Sequence, residues 1–206
     1  MDRAYLIDEL SGHICDRRVL SAIAAVPRDL FVPESVRAEA WANTSLPIGK
    51  GQTISQPSVV ARMCELLELA GDELVLDVGT GSGYHAAVLA RLAARVISIE
   101  RHPALSRGAR AALDAAGVEN VTLIDGDGSR GHLPEAPYDA INVAAGSEHG
   151  VPGALIEQLA DGGRLVVPIN GRAQRLTLIR RRGGKLEREQ HDRVRFVPLV
   201  TDREPW

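Results

Sequence analysis

The sequence predicts an α/β fold: a mostly parallel sheet with helices on both faces, a helical extension at the N-terminus and antiparallel edge strands at the C-terminus. Three observations carry this. Short apolar runs alternate with Ala/Leu-rich stretches of helical period through the middle of the chain, the pattern of repeated β-α-β units. The first run, Leu74 to Val78, ends in three glycines at alternate positions, Gly79, Gly81 and Gly83, before a helix-forming segment. The last third holds two β-rich runs around Arg181-Arg-Gly-Gly-Lys-Leu, a hairpin turn signal.

In order, residues 4–25 read as helical, with Asp16 capping a second helix from Arg17 to Ala25 that Pro27 stops. Val26-Pro-Arg-Asp-Leu-Phe-Val-Pro33 holds two prolines in eight residues and predicts a rigid connector. Glu34 to Trp41 predicts another helical stretch. Leu46 to Pro57 holds four Gly or Pro residues in twelve, which argues against regular structure. Gln52, Thr53, Ser55 and Gln56 crowd hydrogen-bonding side chains into that segment, as either a self-satisfied surface loop or a lid over a ligand. Ser58 to Ala70 has the helical period, with Gly71 at its stop.

After the glycine loop, Tyr84 to Leu92 predicts a helix and Arg95 to Glu100 the second strand. Leu105 to Ala116 is the next helix and Asn120 to Ile124 the third strand, followed by Asp125-Gly-Asp-Gly128. Tyr138 to Ala145 is the fourth strand, Pro152 to Leu159 a helix stopped by Asp161-Gly-Gly, and Arg164 to Pro168 the fifth strand. Arg175 to Arg180 and Val194 to Pro198 form the expected antiparallel pair. The divisions expected are a helical cap and lid over 1–57, a ligand-binding core over 58–170 and edge strands over 171–206, all one domain.

Composition narrows the function. The chain has 206 residues, 45% hydrophobic and 25% charged, with a net charge of −3, which gives no global pull towards nucleic acid or an anionic membrane. No apolar run reaches the roughly 18 residues that span a bilayer. The acidic N-terminus lacks a signal-peptide pattern, so a cytoplasmic location is expected. Cys15 and Cys64 are expected to be free thiols without a catalytic role. The six histidines show no close pairing and no metal site is expected. Residues 172–195 hold nine Lys or Arg against three acids, read as a solvated edge strand protected by charge.

The glycine loop points to a particular ligand. Its spacing is G-x-G-x-G, not the dinucleotide G-x-G-x-x-G, and no Gly-Lys-Ser/Thr follows. Asp77 beside it would repel a pyrophosphate but welcome a cationic amino group or a ribose hydroxyl. S-adenosylmethionine, with a sulfonium, an ammonium and no phosphate, suits that loop. Glu100, 17 residues after Gly83, stands where an acid accepts ribose hydroxyls. Asp127 at the end of the third strand could accept the adenine amino group. Amino-group DNA methyltransferases carry Asn/Asp-Pro-Pro-aromatic after the fourth strand; Asn142-Val-Ala-Ala here counts against a DNA base as substrate.

With these motifs the chain resembles the protein-L-isoaspartate (D-aspartate) O-methyltransferases. The matches include Val26 to Pro33, Leu46-Pro-Ile-Gly, Gly51-Gln-Thr-Ile-Ser-Gln-Pro57, Leu76 to Tyr84, Gly126-Asp-Gly128, Pro137 to Ile141 and Gln158 to Val166. The resemblance implies a Rossmann-like class I S-adenosylmethionine-dependent methyltransferase. It implies methyl esterification of the free carboxylate of L-isoaspartyl and D-aspartyl residues, with repair through a succinimide. It makes Ser55 the active-site serine and assigns Thr53, Ile54, Asp77, Gly79, Thr80, Gly81, Ser82, Gly83, Glu100, Asp127 and Gly128 to the cofactor pocket. The family threonine after the last strand is matched one position late by Thr201. Asn43, where an acid is expected, and Ser58, where a bulkier residue is common, are departures on the substrate side. Expected partners are isoaspartyl proteins and peptides, with no nucleic acid, no membrane and a monomeric state. The alternatives are a relative that modifies one dedicated peptide and a non-catalytic binder of the cofactor.

Overall fold

Two short helices, α1 (Arg3–Ser11) and α2 (Arg17–Ala25), open the chain. In the computed structural model, which describes residues 2–202, each starts on an aspartate that takes up an orphan amide. Asp2 accepts from the Tyr5 amide at 2.9 Å, and Asp16 from that of Arg18 at 2.7 Å. The proline-bounded connector holds a 3-10 turn, Arg28–Phe31, and a six-residue 3-10 helix, Glu34–Glu39, follows it. The helical stretch expected over Glu34 to Trp41 is this 3-10 helix, and it ends at Glu39.

The segment expected to lack regular structure is a hairpin, β1 (Leu46–Gly49) and β2 (Gln52–Ile54). Gly49 closes β1 and Gly51 lies in the turn. Pro47 sits in a two-stranded ribbon, where a missing N–H is tolerated. Leu46 pairs with Ile54, and both point inward. Helix α3 (Pro57–Leu67) follows.

The main sheet holds β3 (Leu74–Val78), β4 (Arg95–Glu100), β5 (Val121–Asp125), β6 (Tyr138–Val143), β7 (Leu159–Ile169), β8 (Arg175–Arg182) and β9 (Lys185–Arg193). Their order is β5-β4-β3-β6-β7-β8-β9, parallel from β5 to β7 and antiparallel from β7 to β9. The central strands feed two cores by alternation. Val75, Val96, Ala140 and Val166 join the core shared with the N-terminal helices, α3 and α4 (Tyr84–Ala90). Leu76, Ile97, Ile141 and Leu165 join the opposite core. Helix α5 (Pro103–Ala115) sends Leu113 to the first core. The second face is covered more thinly, by the five-residue α6 (Gly153–Glu157) and 3-10 turns. Because the chain leaves β3 towards β4 and later returns to its other side as β6, a crevice opens beyond the carboxyl end of β3.

Two expectations about the C-terminal third are corrected. Asp161-Gly-Gly does not separate helix from strand: β7 already starts at Leu159. The register against β6 jumps from Tyr138↔Leu159 to Ala140↔Arg164, so the glycines form a bulge inside the strand. The last strand is Lys185–Arg193, not Val194 to Pro198. Gly183 and Gly184, with φ of +56° and +73°, make a two-residue turn straight into β9. Residues 194–199 then leave the sheet and cross to Gly146, whose amide donates to the Val197 carbonyl and whose carbonyl accepts from Leu199, both at 2.8 Å.

Candidate active site

The site is assembled on β3. Asp77 lies in register with Ser98 on β4 and Asn142 on β6, so its carboxylate meets a polar side chain on each side. Ser98 Oγ donates to Oδ2 at 2.6 Å and Asn142 Nδ2 to Oδ1 at 2.7 Å. The chain of contacts continues both ways. Thr80 of the glycine loop meets Ser98 Oγ at 2.6 Å. Asn142 Nδ2 lies 3.2 Å from His85 Nδ1, and His85 Nε2 lies 3.6 Å from Cys64 Sγ. Asp77 is fully buried, and burial raises its pKa, only partly offset by Ser98 and Asn142. No Lys or Arg pairs with it among the described residues. Burial pushes His85 down to about 3, so it is a neutral imidazole, and it pushes the Cys64 thiol up, away from any nucleophilic role.

Above this chain the loop turns through left-handed glycines. Gly83 has φ +89°, and a Cβ there would stand 3.2 Å from Ala109 Cβ, so glycine lets α4 and α5 approach closely. The amides of Gly79 and Thr80 donate to the Ile99 carbonyl, at 2.9 and 3.2 Å. Glu100 accepts from the Gly81 amide at 2.8 Å through Oε2 and from the His102 amide at 2.8 Å through Oε1. It therefore braces the loop while keeping lone pairs on both oxygens for a ligand. The cleft between these groups is lined by Thr53, Gly79, Gly81, Glu100, Gly128 and Ala144, among others.

Asp127 stands beside it, next to Gly128 of its lining, and borders the neighbouring cleft. It accepts from Ser129 Oγ at 2.7 Å, the Ser129 amide at 2.9 Å and the Asp202 amide at 2.9 Å. Burial alone would raise its pKa; the amide of Asp202, Ser129 and Arg130 outweigh this and hold it below the usual carboxylate range. Residues 197–200 line the cleft from above, and Arg101 donates to the Val200 carbonyl at 2.8 Å. Gly128 is held for space: a Cβ would lie 2.5 Å from Val78 Cγ1. Gly128→Ala is accordingly expected to cost about 1–3 kcal/mol of stability by overpacking. Thermal unfolding checks the effect.

A second cavity, of about 370 Å³, opens beside the cleft and holds Ser55, Gln56 and Ser45 with Arg193, Arg195 and Phe196. Thr53, Ala144 and Val197 line both spaces. Ser55 is placed by Arg28, a fully buried guanidinium. Its Nη2 donates to the carbonyls of Ser55 and Thr44, each at 3.0 Å; Nη1 donates to those of Ala40 and Ala42. The guanidinium also stands 5.6 Å from the centroid of Tyr84, the first residue of α4. One side chain thus ties the hairpin with Ser55 to the helix that follows the glycine loop.

The profile of the protein-L-isoaspartate(D-aspartate) O-methyltransferase family (PCMT) matches residues 2–204. The chain belongs to this family. Among its relatives, protein-L-isoaspartate O-methyltransferases of Methanoregula boonei and Halorhodospira halophila are 51% and 54% identical. The alignments cover 97% and 98% of this chain and 93% and 92% of those proteins. A solved protein-L-isoaspartate O-methyltransferase superposes with a TM-score of 0.90 at 30% identity, over 98% of this chain and 67% of that one. A beta-aspartate methyltransferase (PCMT) from Plasmodium falciparum, solved in complex with S-adenosyl-L-homocysteine, superposes with a TM-score of 0.83 at 25% identity, over 97% and 99%.

Against the family pattern, Thr53, Gly79, Gly81, Glu100 and Gly128 come together on the cleft, and Ser55 faces the adjoining cavity. Asp77, expected in the cofactor pocket, lies beneath the loop with one hydrogen bond on each oxygen. Thr80 and Ile54 are buried, Thr80 on Ser98 and Ile54 in the core. Ser82 lines an outer pocket with Ile48 and Ala104, and Gly83 packs on α5. Asp127 and Thr201 border a neighbouring cleft that reaches Ser147 to Ala154. Asn43 accepts from the Ser58 amide at 3.0 Å and donates to Glu9 at 2.7 Å. An aspartate could do the first but would repel Glu9, so this departure is matched to α1. Sequence reasoning missed Arg28, His85 and Ser98, and used Asn142 only to exclude DNA as substrate. Ser98 and Asn142 were visible as polar breaks in otherwise apolar strands.

Proposed function

We propose that the glycine-loop cleft holds S-adenosyl-L-methionine and that the Ser55 cavity receives the free carboxylate of an L-isoaspartyl or D-aspartyl residue. The chain is a protein-L-isoaspartate O-methyltransferase in protein repair, using that cofactor as methyl donor. The observation that carries the assignment of roles is that the two cavities share Thr53, Ala144 and Val197, so donor and acceptor can meet there.

The residues fit the cofactor. The loop glycines leave backbone exposed to a close ligand, Glu100 keeps acceptor capacity for a ribose, and Asp127 lies further along for an adenine amino group. Asp77 supplies a buried negative charge without a protein cation, which a ligand carrying two positive groups would offset. When bound, the cofactor supplies an electrophilic methyl group on a sulfonium.

The protein's own task is then modest. A carboxylate with an ordinary pKa of about 4 is ionised at neutral pH, so no protein base is needed. Neutral His85 and the buried Cys64 are accordingly structural. Ser55 can donate a hydrogen bond that orients the acceptor, with Arg28 fixing its backbone. Residues 197–200 border the cleft beside the junction. In the methyl ester the neighbouring backbone amide nitrogen can attack the ester carbonyl and expel methanol, a far better leaving group than the oxygen of an ionised carboxylate, which favours succinimide closure. Neither alternative drawn from the sequence, a dedicated peptide or a non-catalytic binder, is favoured.

The same reading has residues 1–57 act as cap and lid, 58–170 as cofactor core and 171–206 as edge, in a cytoplasmic monomer that binds no nucleic acid. Much of the basic run is engaged internally: Arg180 pairs with Glu68 at 2.6 Å, Arg182 with Glu187 at 3.5 Å, and Arg181 donates to the Ile156 carbonyl. Among the described residues no helix is long and apolar enough to cross a membrane.

Methyl transfer to two peptides differing only in L-isoaspartate or L-aspartate tests the activity, with base-labile label expected on the first alone. Ser55→Ala is expected to lower turnover about 10- to 100-fold with a much smaller change in cofactor affinity. Loss of cofactor binding with turnover per bound cofactor retained would sink the role given to Ser55.

A further inference from the structure

The Ser55 cavity has an uneven electrical character. Arg193 and Arg195 line it, and no carboxylate does. Neither guanidinium forms an ion pair among the described residues. Their neighbours differ: Arg62 pairs with Glu65 at 2.6 Å and Asp192 at 3.0 Å, and Arg175 donates to the His191 carbonyl at 2.8 Å. Asp192, the acid adjacent to Arg193 in sequence, is thus turned to Arg62. A chain of net charge −3 presents two exposed cations at the mouth of the cavity.

An isoaspartyl residue brings one negative charge from its freed α-carboxylate, which leaves the rim one charge in excess. We propose that Arg193 and Arg195 form an anion-selecting rim that favours isoaspartyl peptides bearing a second carboxylate beside the damaged residue. This rests on the activity assigned above. Direct pairing of a guanidinium with the reacting carboxylate would lower its nucleophilicity. Exposed arginines at the rim avoid that, since their field reaches across roughly 8–10 Å at moderate salt. They act on capture and orientation of the peptide, and Ser55 keeps the reacting group. The effect therefore belongs in KM more than in kcat and weakens with salt.

The test uses three peptides identical except for Glu, Gln or Lys directly after the isoaspartate. They are assayed with wild type, Arg193→Ala/Arg195→Ala and Arg193→Lys/Arg195→Lys, at low and high ionic strength. At low salt the wild-type KM is expected to be about tenfold lower for the Glu than for the Lys peptide, from two exposed charges of ordinary strength. That spread should shrink to about twofold or less in the alanine double variant, persist in the lysine one, and contract for wild type at high salt. S-adenosyl-L-homocysteine binding reports whether the variants fold, and the wild-type salt series needs no variant. Equal KM for the three peptides at low salt, a spread that ignores salt, or one that survives removal of both arginines would each overturn the proposal. Methylation without charge preference sinks this inference alone; no methylation of any isoaspartyl peptide sinks the assigned activity with it.

Discussion

Arg28→Met is expected to destabilise the protein by about 3–5 kcal/mol, the range for removing one partner of a buried charged network. The guanidinium is fully buried and serves four carbonyls, of Ala40, Ala42, Thr44 and Ser55. Burial pushes its pKa down to about 10, opposed by Tyr84, so it stays charged at neutral pH. Methionine fills the space of the stem and offers no donor, which strands these acceptors, above all the buried carbonyl of Ala40. Lysine keeps the charge but lacks the planar fork that spans 40–44 and 55 at once, so Arg28→Lys should recover only part of the loss. Turnover at a temperature where the variant stays folded should fall more than cofactor affinity, because the Ser55 backbone loses its anchor while the glycine loop keeps its own. Urea unfolding at neutral pH with assays at reduced temperature decides it. A loss under about 1 kcal/mol would mean the carbonyls find water, and the guanidinium is then no organising element.

The legible parts of this fold are those that local rules announce. Strands β3 to β6 are apolar runs punctuated by glycine or acid, and Asp16 sits where a cap is required. Strand β9 escaped because Lys185 to Arg193 is almost wholly exposed and has no apolar alternation to detect. The β1-β2 hairpin escaped because its glycines and Pro47 are tolerated in an isolated ribbon. Among the site residues, Glu100 and Gly128 follow from strand ends. The organisation around Arg28 does not, since it depends on four carbonyls brought together by tertiary folding. The chain from Cys64 through His85, Asn142 and Asp77 to Ser98 and Thr80 is likewise a matter of register between strands far apart in sequence. It places Asp77 beneath the glycine loop, with a hydrogen bond from a neighbouring strand on each carboxylate oxygen.

That chain also sets an acid limit on the protein. Asn142 must turn its NH₂ towards ionised Asp77, and the same NH₂ faces His85 Nδ1. His85 then accepts at Nδ1 and donates from Nε2 towards Cys64. Protonation would set one N–H against another inside a site that already disfavours charge. The folded pKa of about 3 lies below the ordinary 6.5, so the contribution of His85 is fully present above pH 6.5 and lost as pH falls towards 3. The slope is up to about 1.4 kcal/mol per pH unit. Asp77 works the other way: its raised pKa means that acid relieves the burial of its charge. Glu68, Glu73 and Asp127 have lowered pKa values and shed stability only below the ordinary carboxylate range. Between pH 6.5 and about 5, His85 is therefore the group expected to dominate among these, for a loss of about 2 kcal/mol. In His85→Gln, which cannot take up a proton, the loss over that window should be clearly smaller, as urea unfolding at pH 7 and pH 5 would read. Cofactor affinity of the folded protein should hold across the same window, because His85 stays neutral in the fold until the pH nears 3 and leaves Asn142 on Asp77 beneath the loop. Parallel pH slopes for wild type and His85→Gln would mean the imidazole reaches water in the folded state, and the support beneath the glycine loop would then have to be sought in Ser98 and Thr80 alone.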